Sequence, residues 1–154
     1  MKQWPEEPSK LLAALTVRPA NMDDLAVARA LITSAYASLG SSCATTREAE
    51  EMGARFTHPA FVDTLRGRAL TMAWLQATPV AVGGWTPASD SGKIACLGLV
   101  AVDPMFTGLG IGRFIVSRVE DNARKAGFDE LSVHALPSMR AFYECIGFVA
   151  RPHG

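Results

Sequence analysis

The sequence lacks an excess of charge of either sign, a cysteine motif and a long apolar run. Fifteen Lys and Arg residues balance fifteen Asp and Glu residues, so its net charge is zero and indicates no strongly basic surface for nucleic acid. Its three cysteines, Cys43, Cys96 and Cys145, form no CxxC pair, which argues against a zinc site or a disulfide framework. No run reaches the roughly 20 apolar residues of a membrane span, and the charged, proline-containing start does not resemble a signal peptide. We therefore expect a cytoplasmic protein with no metal, nucleic-acid or membrane partner.

Length and composition indicate one folded domain. The chain has 154 residues, of which 49% are hydrophobic. A chain of this length buries about 68–70% of its unfolded surface, which is enough for a core without disulfides or metals. We expect residues 1–14 to form a flexible N-terminal arm that ends in a short helical turn around 11–15, and residues 15–154 to form a single domain.

Hydrophobic periodicity predicts alternating strands and helices. A first strand precedes Asn21, which is a suitable N-cap for a helix that we expect to end at Gly40. The strand-like runs are 15–19, 69–77, 80–86, 94–102 and 131–135, and the later helices are 110–126 and 138–146. Two weaker helical patterns, 46–52 and 59–65, lie in the least regular part of the chain, a kind of segment that often borders a substrate site.

The order of these elements predicts a mixed α/β (α+β) domain. Short turns join the three central runs, which suits an antiparallel meander. The path from strand 94–102 through a helix to strand 131–135 is a βαβ unit, whose two strands lie parallel. We expect a mostly antiparallel central sheet with one parallel pair and with helices packed on its faces.

A glycine-rich turn follows strand 94–102 and precedes the amphipathic helix 110–126. Gly108, Gly110 and Gly112 would let the backbone approach an anion, towards which the N–H groups of the first helical turn point. A P-loop is excluded because Arg113 and Phe114 stand where that motif needs Lys and Ser or Thr. The glycine spacing of a dinucleotide fingerprint is absent as well. A phosphate site of another kind remains, with a purely structural glycine loop as the alternative.

The stretch Val102-Asp103-Pro104-x-x-Thr107-Gly108-Leu109-Gly110-Ile111-Gly112 resembles motif A of the GNAT acetyltransferases. The resemblance implies that the backbone N–H groups of 109–113 hold the pyrophosphate of coenzyme A. It also implies that the main chain of Val100 and Val102 pairs with the pantetheine arm like an added strand. Thr107 stands where the family usually has Arg or Gln, which removes one side chain from the phosphate site. Arg113 is a partial substitute for it.

A second stretch, Phe142-Tyr143-Glu144-x-x-Gly147-Phe148, resembles GNAT motif B and lies at the usual distance from motif A. Ser138, at the start of the last predicted helix, stands where the family usually has Asn. By the resemblance, Tyr143 donates a proton to the departing CoA thiolate, a role that suits a phenol; a packed aromatic residue is the alternative. The residues that we expect to bind acetyl-CoA are Val100, Ala101, Val102, Thr107, Gly108, Leu109, Gly110, Ile111, Gly112, Arg113 and Ser138.

The base that deprotonates an amine acceptor is less evident. An alkylamine with a pKa of about 10.4 is mostly protonated at neutral pH, so its proton has to be removed. Many GNAT enzymes use a carboxylate on the central strand, but strand 94–102 has no Asp or Glu. His134 is the nearest titratable candidate, and a carboxylate from 39–68 or a chain of waters is the alternative. Tyr143 and His134 are therefore the predicted catalytic residues.

The resemblance implies an N-acetyltransferase that moves the acetyl group of acetyl-CoA to a primary amine. The acceptor would be a small molecule or a peptide, attacking directly in a ternary complex. A non-catalytic acyl-CoA-binding or sensing module is the alternative, and another nucleotide-binding βαβ domain is a third. The family usually continues past Phe148 with a hairpin that covers strand 131–135. This sequence leaves room for one short strand there, so a homodimer through the bare edge is a reasonable hypothesis.

Overall fold

The structure of the protein is a computed structural model that describes residues 8–42, 69–88, 93–134 and 139–150, with side chains of the first range from 11 to 35. Within these ranges the helices are α1 (Pro8–Ala14), α2 (Leu25–Ser42), α3 (Ile111–Lys125) and α4 (Arg140–Cys145). The strands are β1 (Leu15–Pro19), β2 (Ala69–Leu75), β3 (Thr78–Pro87), β4 (Ile94–Val102) and β5 (Glu130–Val133). Short 3-10 turns at Met22–Asp24 and Pro104–Phe106 precede α2 and follow β4.

The five described strands form one sheet in the order β1-β2-β3-β4-β5. Neighbours from β1 to β4 are antiparallel, and β4 pairs with β5 in parallel from Ile94–Glu130 to Leu97–Val133. The parallel pair requires a long crossover, which α3 provides. The predicted α/β fold with a mostly antiparallel sheet and one parallel pair is therefore confirmed.

Helices cover both faces of this sheet. On one face α2 packs over buried apolar residues such as Ile32, Met72 and Val82, and we call this group the α2-side cluster. On the other face α3 packs over a second group, the α3-side cluster, which includes Leu97 and Ile115. Fully burying a side chain of this size contributes roughly 1.5–3 kcal/mol, so the two clusters fix the positions of α2 and α3 on the sheet.

The entry into α2 is held by a reciprocal capping arrangement. The Asp24 N–H donates to Asn21 Oδ1 at 3.1 Å, and the Asn21 N–H donates to Asp24 Oδ2 at 2.9 Å. Arg18 donates to the same carboxylate at 2.6 Å and stacks over the Trp74 ring at 4.8 Å. The cap at Asn21 is thus present, but the predicted helix end at Gly40 was wrong, because one glycine weakens a helix without ending it and α2 continues to Ser42.

The N-terminal residues contribute to the core. Residues 8–14 form α1, and Leu11 is only 3% exposed in the α3-side cluster. The short helical turn predicted around 11–15 therefore begins earlier, at Pro8. The division of the chain into an arm of 1–14 and a domain of 15–154 stays a prediction.

Strand ends differ modestly from those expected. The β2–β3 turn begins earlier because Gln76 adopts a left-handed backbone with φ of 56°, and β5 ends at Val133. The helices predicted at 46–52 and 59–65 lie outside the described residues. None of the helices in the described ranges has the length and hydropathy required to cross a membrane.

The contact between Arg18 and Asp24 predicts an acid-sensitive contribution to stability. The Arg18 guanidinium, and then the Asn21 N–H, hold the pKa of the Asp24 carboxyl below its ordinary value. A lowered folded-state pKa stabilises the protein above the ordinary carboxyl range, and this stability is lost as the pH falls through the lowered pKa. We expect Asp24→Asn to be about 1–2 kcal/mol less stable than wild type at pH 7, with the difference shrinking below about pH 4, in urea unfolding.

The matched control is Asp23→Asn, which changes an exposed carboxylate in the same turn. Its free energy of unfolding should stay within about 0.5 kcal/mol of the wild-type value at both pH 3 and pH 7. A stability loss in Asp24→Asn that is the same at pH 3 and pH 7 would show that the carboxylate charge is not what Arg18 recognises.

Candidate functional site

Strand β4 contains a bulge where it leaves β5. Val82 pairs with Ala101 and Gly84 pairs with Gly98, so Leu99 and Val100 of β4 lie opposite one residue of β3. The last described β4–β5 pair is Leu97–Val133, immediately before the bulge. Within the described strands, residues 98–102 therefore have no partner on the β5 side. This edge of main-chain N–H and C=O groups can accept an extended ligand as an added strand.

The bulge depends on an unusual backbone conformation. Leu99 has a φ of 57°, in the left-handed region that side chains other than glycine rarely adopt. The conformation costs an L-residue about 1–2 kcal/mol, and such strained residues cluster at functional sites. Gln76, the other described non-glycine residue with positive φ, lies in a tight turn, whereas Leu99 lies within a strand.

The chain reverses direction after β4 in a braced turn. The Asp103 N–H donates to the Val80 carbonyl at 2.8 Å, and its carboxylate accepts from the Met105 N–H at 2.9 Å. Thr107 Oγ1 donates to the Pro104 carbonyl at 3.1 Å. The Thr107 hydroxyl thus closes the turn, which gives this side chain a structural function.

Two glycines shape the backbone that follows this turn. Gly108 and Gly110 have φ of 79° and 82°, so both positions require a residue that tolerates the left-handed region. A Cβ at either position would have no heavy atom of the described residues within 4 Å, so the described part of the chain leaves open space above the backbone here. The turn is therefore a shallow cradle whose backbone is accessible to a ligand.

The cradle leads directly into the N-terminus of α3. Among the described residues no side chain caps this end, where Gly110 is the N-cap. Phe114 donates a helical hydrogen bond to the Gly110 carbonyl at 3.1 Å. The N–H groups of 111–113 precede that bond and carry the positive end of the helix dipole, equivalent to roughly half a charge. Arg113 is exposed in the same first turn. These features together suit a polyanionic group such as a pyrophosphate.

A close contact joins the two motifs that the sequence separates. A Cβ at Gly112 would lie 3.2 Å from Phe142 Cζ and 3.7 Å from Val102 Cγ2. The glycine therefore lets the first turn of α3 approach α4. This contact joins the first turn of α3 to α4, the helix that carries Tyr143.

Tyr143 lies in the apolar interior at this end of the sheet. Its side chain is 8% exposed and belongs to the α3-side cluster. The ring packs edge-on against Phe142 at 5.1 Å and against Phe148 at 5.5 Å. The Tyr143 carbonyl accepts from the Phe148 N–H at 3.0 Å, so the chain after α4 folds back over the ring. The aromatic packing fixes the ring, which is a precondition for precise proton donation.

The remaining predicted site residues are placed less centrally. His134 is exposed and immediately follows β5, where we had expected it within the strand. Ser138 lies outside the described residues, and the described helix α4 has Met139 as its N-cap. The glutamates of 39–68 that we considered as bases also lie outside them. The described residues contain no group of three His, Cys, Asp or Glu side chains arranged for a metal.

Sequence reasoning missed Leu99 and the contact between Gly112 and Phe142. All residues of β4 except Gly98 are apolar, so no change in polar alternation marks the bulge. The sequence predicts Gly112 as a ligand-binding glycine, which stays a prediction, and the structure adds a packing reason for the glycine because a Cβ there would crowd Phe142. A glycine inside an amphipathic helix, where alanine is favoured, is the signal that could have indicated a close helix contact.

Comparison with known proteins relates the sequence to one family. The profile of the acetyltransferase (GNAT) family matches residues 33–148. The N-acetyltransferase ycf52 of Pyropia yezoensis is 32% identical over 73 residues, which cover 47% of this chain and 42% of that protein. A chloroplastic GCN5-related N-acetyltransferase of Arabidopsis thaliana is 31% identical over 55 residues, covering 36% of this chain and 28% of that protein. The chain therefore matches less than half the length of these curated relatives.

Solved structures show the same fold. A GCN5-related N-acetyltransferase of Rhodopseudomonas palustris superimposes with a TM-score of 0.75 at 22% identity, covering 89% of this chain and 82% of that one. The PaiA N-acetyltransferase of Thermoplasma acidophilum, solved in complex with coenzyme A, has a TM-score of 0.75 at 13% identity, covering 91% and 92%. At these identities the likeness establishes the architecture.

The contact between Gly112 and Phe142 predicts that alanine at position 112 will not give the stabilisation that replacing a helical glycine usually gives. In a helix, alanine is favoured over glycine by up to about 1 kcal/mol. At Gly112 the new Cβ would press on the Phe142 ring, so we expect Gly112→Ala to be neutral or destabilising in wild type. In a Phe142→Leu background, which removes the ring, the same change should stabilise the protein. Urea unfolding of the four proteins measures the coupling as a double-mutant cycle.

Ser117→Ala provides the control, because Ser117 is exposed on the same helix. It should stabilise the protein by a few tenths of a kcal/mol in both backgrounds. A full helix-propensity gain for Gly112→Ala in wild type would mean that α3 and α4 do not approach each other as described.

Proposed function

Since this chain belongs to the GNAT acetyltransferase family, we propose that it transfers the acetyl group of acetyl-CoA to a primary amine. The acceptor is a small molecule or a peptide, and the amine attacks directly while both substrates are bound. The observation that carries the proposal is the meeting of two features at one end of the sheet. In the part of the chain that the structure describes, the edge of β4 after Leu97 is unpaired and leads into a glycine cradle at the N-terminus of α3, where no side chain forms a cap.

The residues at this site fit coenzyme A. An open cradle at Gly108 and Gly110, together with the N–H groups of 109–113, suits the pyrophosphate, and Arg113 supplies a nearby cation. The main chain of Val100, Ala101 and Val102 suits the amides of the pantetheine arm, which can pair with it as a strand would. The coenzyme A bound by the Thermoplasma acidophilum relative supports this assignment.

Thr107 explains why the cradle keeps its shape without the family's usual Arg or Gln. Its hydroxyl closes the turn on the Pro104 carbonyl, so the turn is stabilised by the chain itself. The anion would then be held by main-chain N–H groups and by the helix dipole, with Arg113 as the nearest cation in sequence. Binding of this kind depends on backbone geometry more than on any one side chain.

Tyr143 is the proposed general acid. Acetyl-CoA supplies an acetyl group that is activated as a thioester, and the departing sulfur needs a proton. Tyrosine keeps its phenolic proton at neutral pH and can donate it from Oη. The edge-on contacts with Phe142 and Phe148 hold the ring in one orientation, which supports the role.

His134 is the proposed general base that takes the proton from the amine. It follows β5 on the far side of the gap from the free edge of β4, and it is exposed to solvent. A carboxylate from 39–68 or a water chain is the alternative, as the sequence indicated.

We further propose a reducing, cytoplasmic location, which the free thiols of Cys96 and Cys145 support. β5 is the edge of the described sheet, and a homodimer through it stays a prediction.

Binding of coenzyme A is the first prediction of this proposal. At about hundredfold excess over the Kd, CoA and acetyl-CoA should each raise the Tm by about 5–10 °C, whereas ATP should have little effect. Gly110→Ala should lose most of the shift, because alanine opposes the left-handed backbone of the cradle.

Gly127→Ala is the matched control, because Gly127 also has positive φ (100°) but lies beyond the opposite end of α3. It should lower the Tm of the free protein and keep the full shift with CoA. An equal shift with ATP, or none with CoA, would refute the assignment of the cradle. Binding without turnover across an amine screen would favour the acyl-CoA sensor instead.

Removing the phenol tests Tyr143. Tyr143→Phe keeps the aromatic packing and deletes only Oη, so we expect kcat to fall by about 10²–10⁴-fold while the Kd for CoA stays unchanged. Phe148→Leu, which alters the packing around the tyrosine but keeps the phenol, should reduce kcat far less. Steady-state kinetics and calorimetry measure the two quantities. Wild-type turnover in Tyr143→Phe would leave Tyr143 as a packing residue only.

Varying the acceptor tests His134. A strongly basic amine is mostly protonated at neutral pH and needs a base, whereas a weakly basic amine needs it less. His134→Asn should therefore reduce kcat/KM by at least about tenfold for strongly basic acceptors and by less for weakly basic ones. Asp129→Asn, at the opposite end of β5, is the control and should affect neither. An equal loss for both acceptor types would argue for a structural function of His134.

A further inference from the structure

The side chain of Leu99 lies on the face of the sheet opposite to the one that simple alternation predicts. Leu97 belongs to the α3-side cluster, and a regular strand would place Leu99 on the same face. Leu99 instead packs against the α2-side cluster. Val100 and Val102 then return to the α3 side, and Ala101 to the α2 side. The bulge therefore shifts the alternation of β4 by one residue.

This arrangement couples a strained backbone to a partly buried side chain that packs on the apolar interior. The left-handed conformation of Leu99, with φ of 57°, is unfavourable for leucine, as it is for most residues with a Cβ. A strained backbone conformation persists only when contacts with the surrounding structure hold it in place. The contact between the Leu99 side chain and the α2-side cluster is such a constraint, because an untwisted β4 would withdraw this side chain from the apolar interior.

We propose that Leu99 is a positioning residue for the co-substrate: its side chain, anchored in the α2-side cluster, holds the bulge that presents the β4 edge. The inference rests on the proposed function for the identity of the ligand, since the edge at 100–102 is the part assigned to pantetheine. The anchor sets the direction of these main-chain groups without touching the ligand itself. Helix α2 thereby contributes to binding from the other face of the sheet.

The test separates the side chain from the backbone conformation. Leu99→Gly adopts the left-handed backbone without strain but removes the anchor. Leu99→Asn also tolerates this backbone but places a polar group of similar size against the apolar cluster. Leu99→Met keeps an apolar side chain of similar volume. Two readouts are measured for each variant: amide hydrogen exchange of the ligand-free protein, and the Kd for CoA by calorimetry.

If the side chain is the anchor, Leu99→Gly and Leu99→Asn should raise the exchange rates of the amides of 100–102 on the order of tenfold relative to those of 95–97. The same variants should weaken CoA binding on the order of tenfold, and Leu99→Met should restore both readouts nearly to wild type. Val27→Ala is the control, because Val27 packs against the same cluster from α2. It should lower stability without a selective change at 100–102.

Leu99→Gly or Leu99→Asn with wild-type exchange at 100–102 would overturn the proposal, because the backbone alone would then hold the bulge. Unchanged Kd values for CoA in both variants, with wild type binding normally, would overturn it equally. Should one variant fail to fold, the other still decides the matter. If the wild-type protein does not bind CoA, the proposed function fails, and the exchange rates alone still confirm or refute the anchoring function of Leu99.

Discussion

The separation of β4 from β5 is the constraint on which the rest of the site depends. The two strands pair as far as Leu97 and Val133, and the bulge at Leu99 then shifts β4 by one residue. Without this separation the main-chain groups of 100–102 would be hydrogen-bonded to the neighbouring strand, and no free edge would remain for a ligand. The crossover through α3 has a second consequence, because it brings an uncapped helix N-terminus next to the same edge. The βαβ crossover therefore supplies both parts of the proposed CoA site: the strand edge for the extended pantetheine arm and the helix N-terminus that binds the anionic pyrophosphate.

The chemistry of the site is built mainly from the backbone. Gly108 and Gly110 are required by their positive φ values, and the carbonyl of Pro104 engages the Thr107 hydroxyl so that the turn keeps its form. Side chains enter the proposed mechanism only where a proton has to move, with Tyr143 as the proposed acid and His134 as the proposed base. Phe142 contacts both the Tyr143 ring and the first turn of α3 at Gly112, so it links the proposed proton donor to the helix that follows the cradle. We propose that such a site tolerates the loss of the family's usual Arg or Gln, because main-chain N–H groups are present whatever the side chain.

Much of the fold could be predicted from the sequence because the apolar pattern reports burial. The parallel pair followed from the βαβ order, and the cap at Asn21 followed from local chemistry. The bulge could not be predicted, because nearly all residues of β4 are apolar. Without alternating polar and apolar residues, the sequence does not show which side chains face which side of the sheet. Gly40 was misread because a glycine weakens a helix without fixing its end. Glycines in the cradle were recognisable from spacing, whereas the function of Gly112 depends on Phe142, which is distant in sequence.

A crystal structure of the protein with coenzyme A tests most directly whether the parted strands form the co-substrate site. The pantetheine arm should lie in the gap after Leu97 and Val133, with its amides hydrogen-bonded to the main chain of Val100 and Val102. The pyrophosphate should contact the N–H groups of 109–113. Coenzyme A bound elsewhere, or a β4 that closes onto β5 over 98–102 in the complex, would contradict this description of the site.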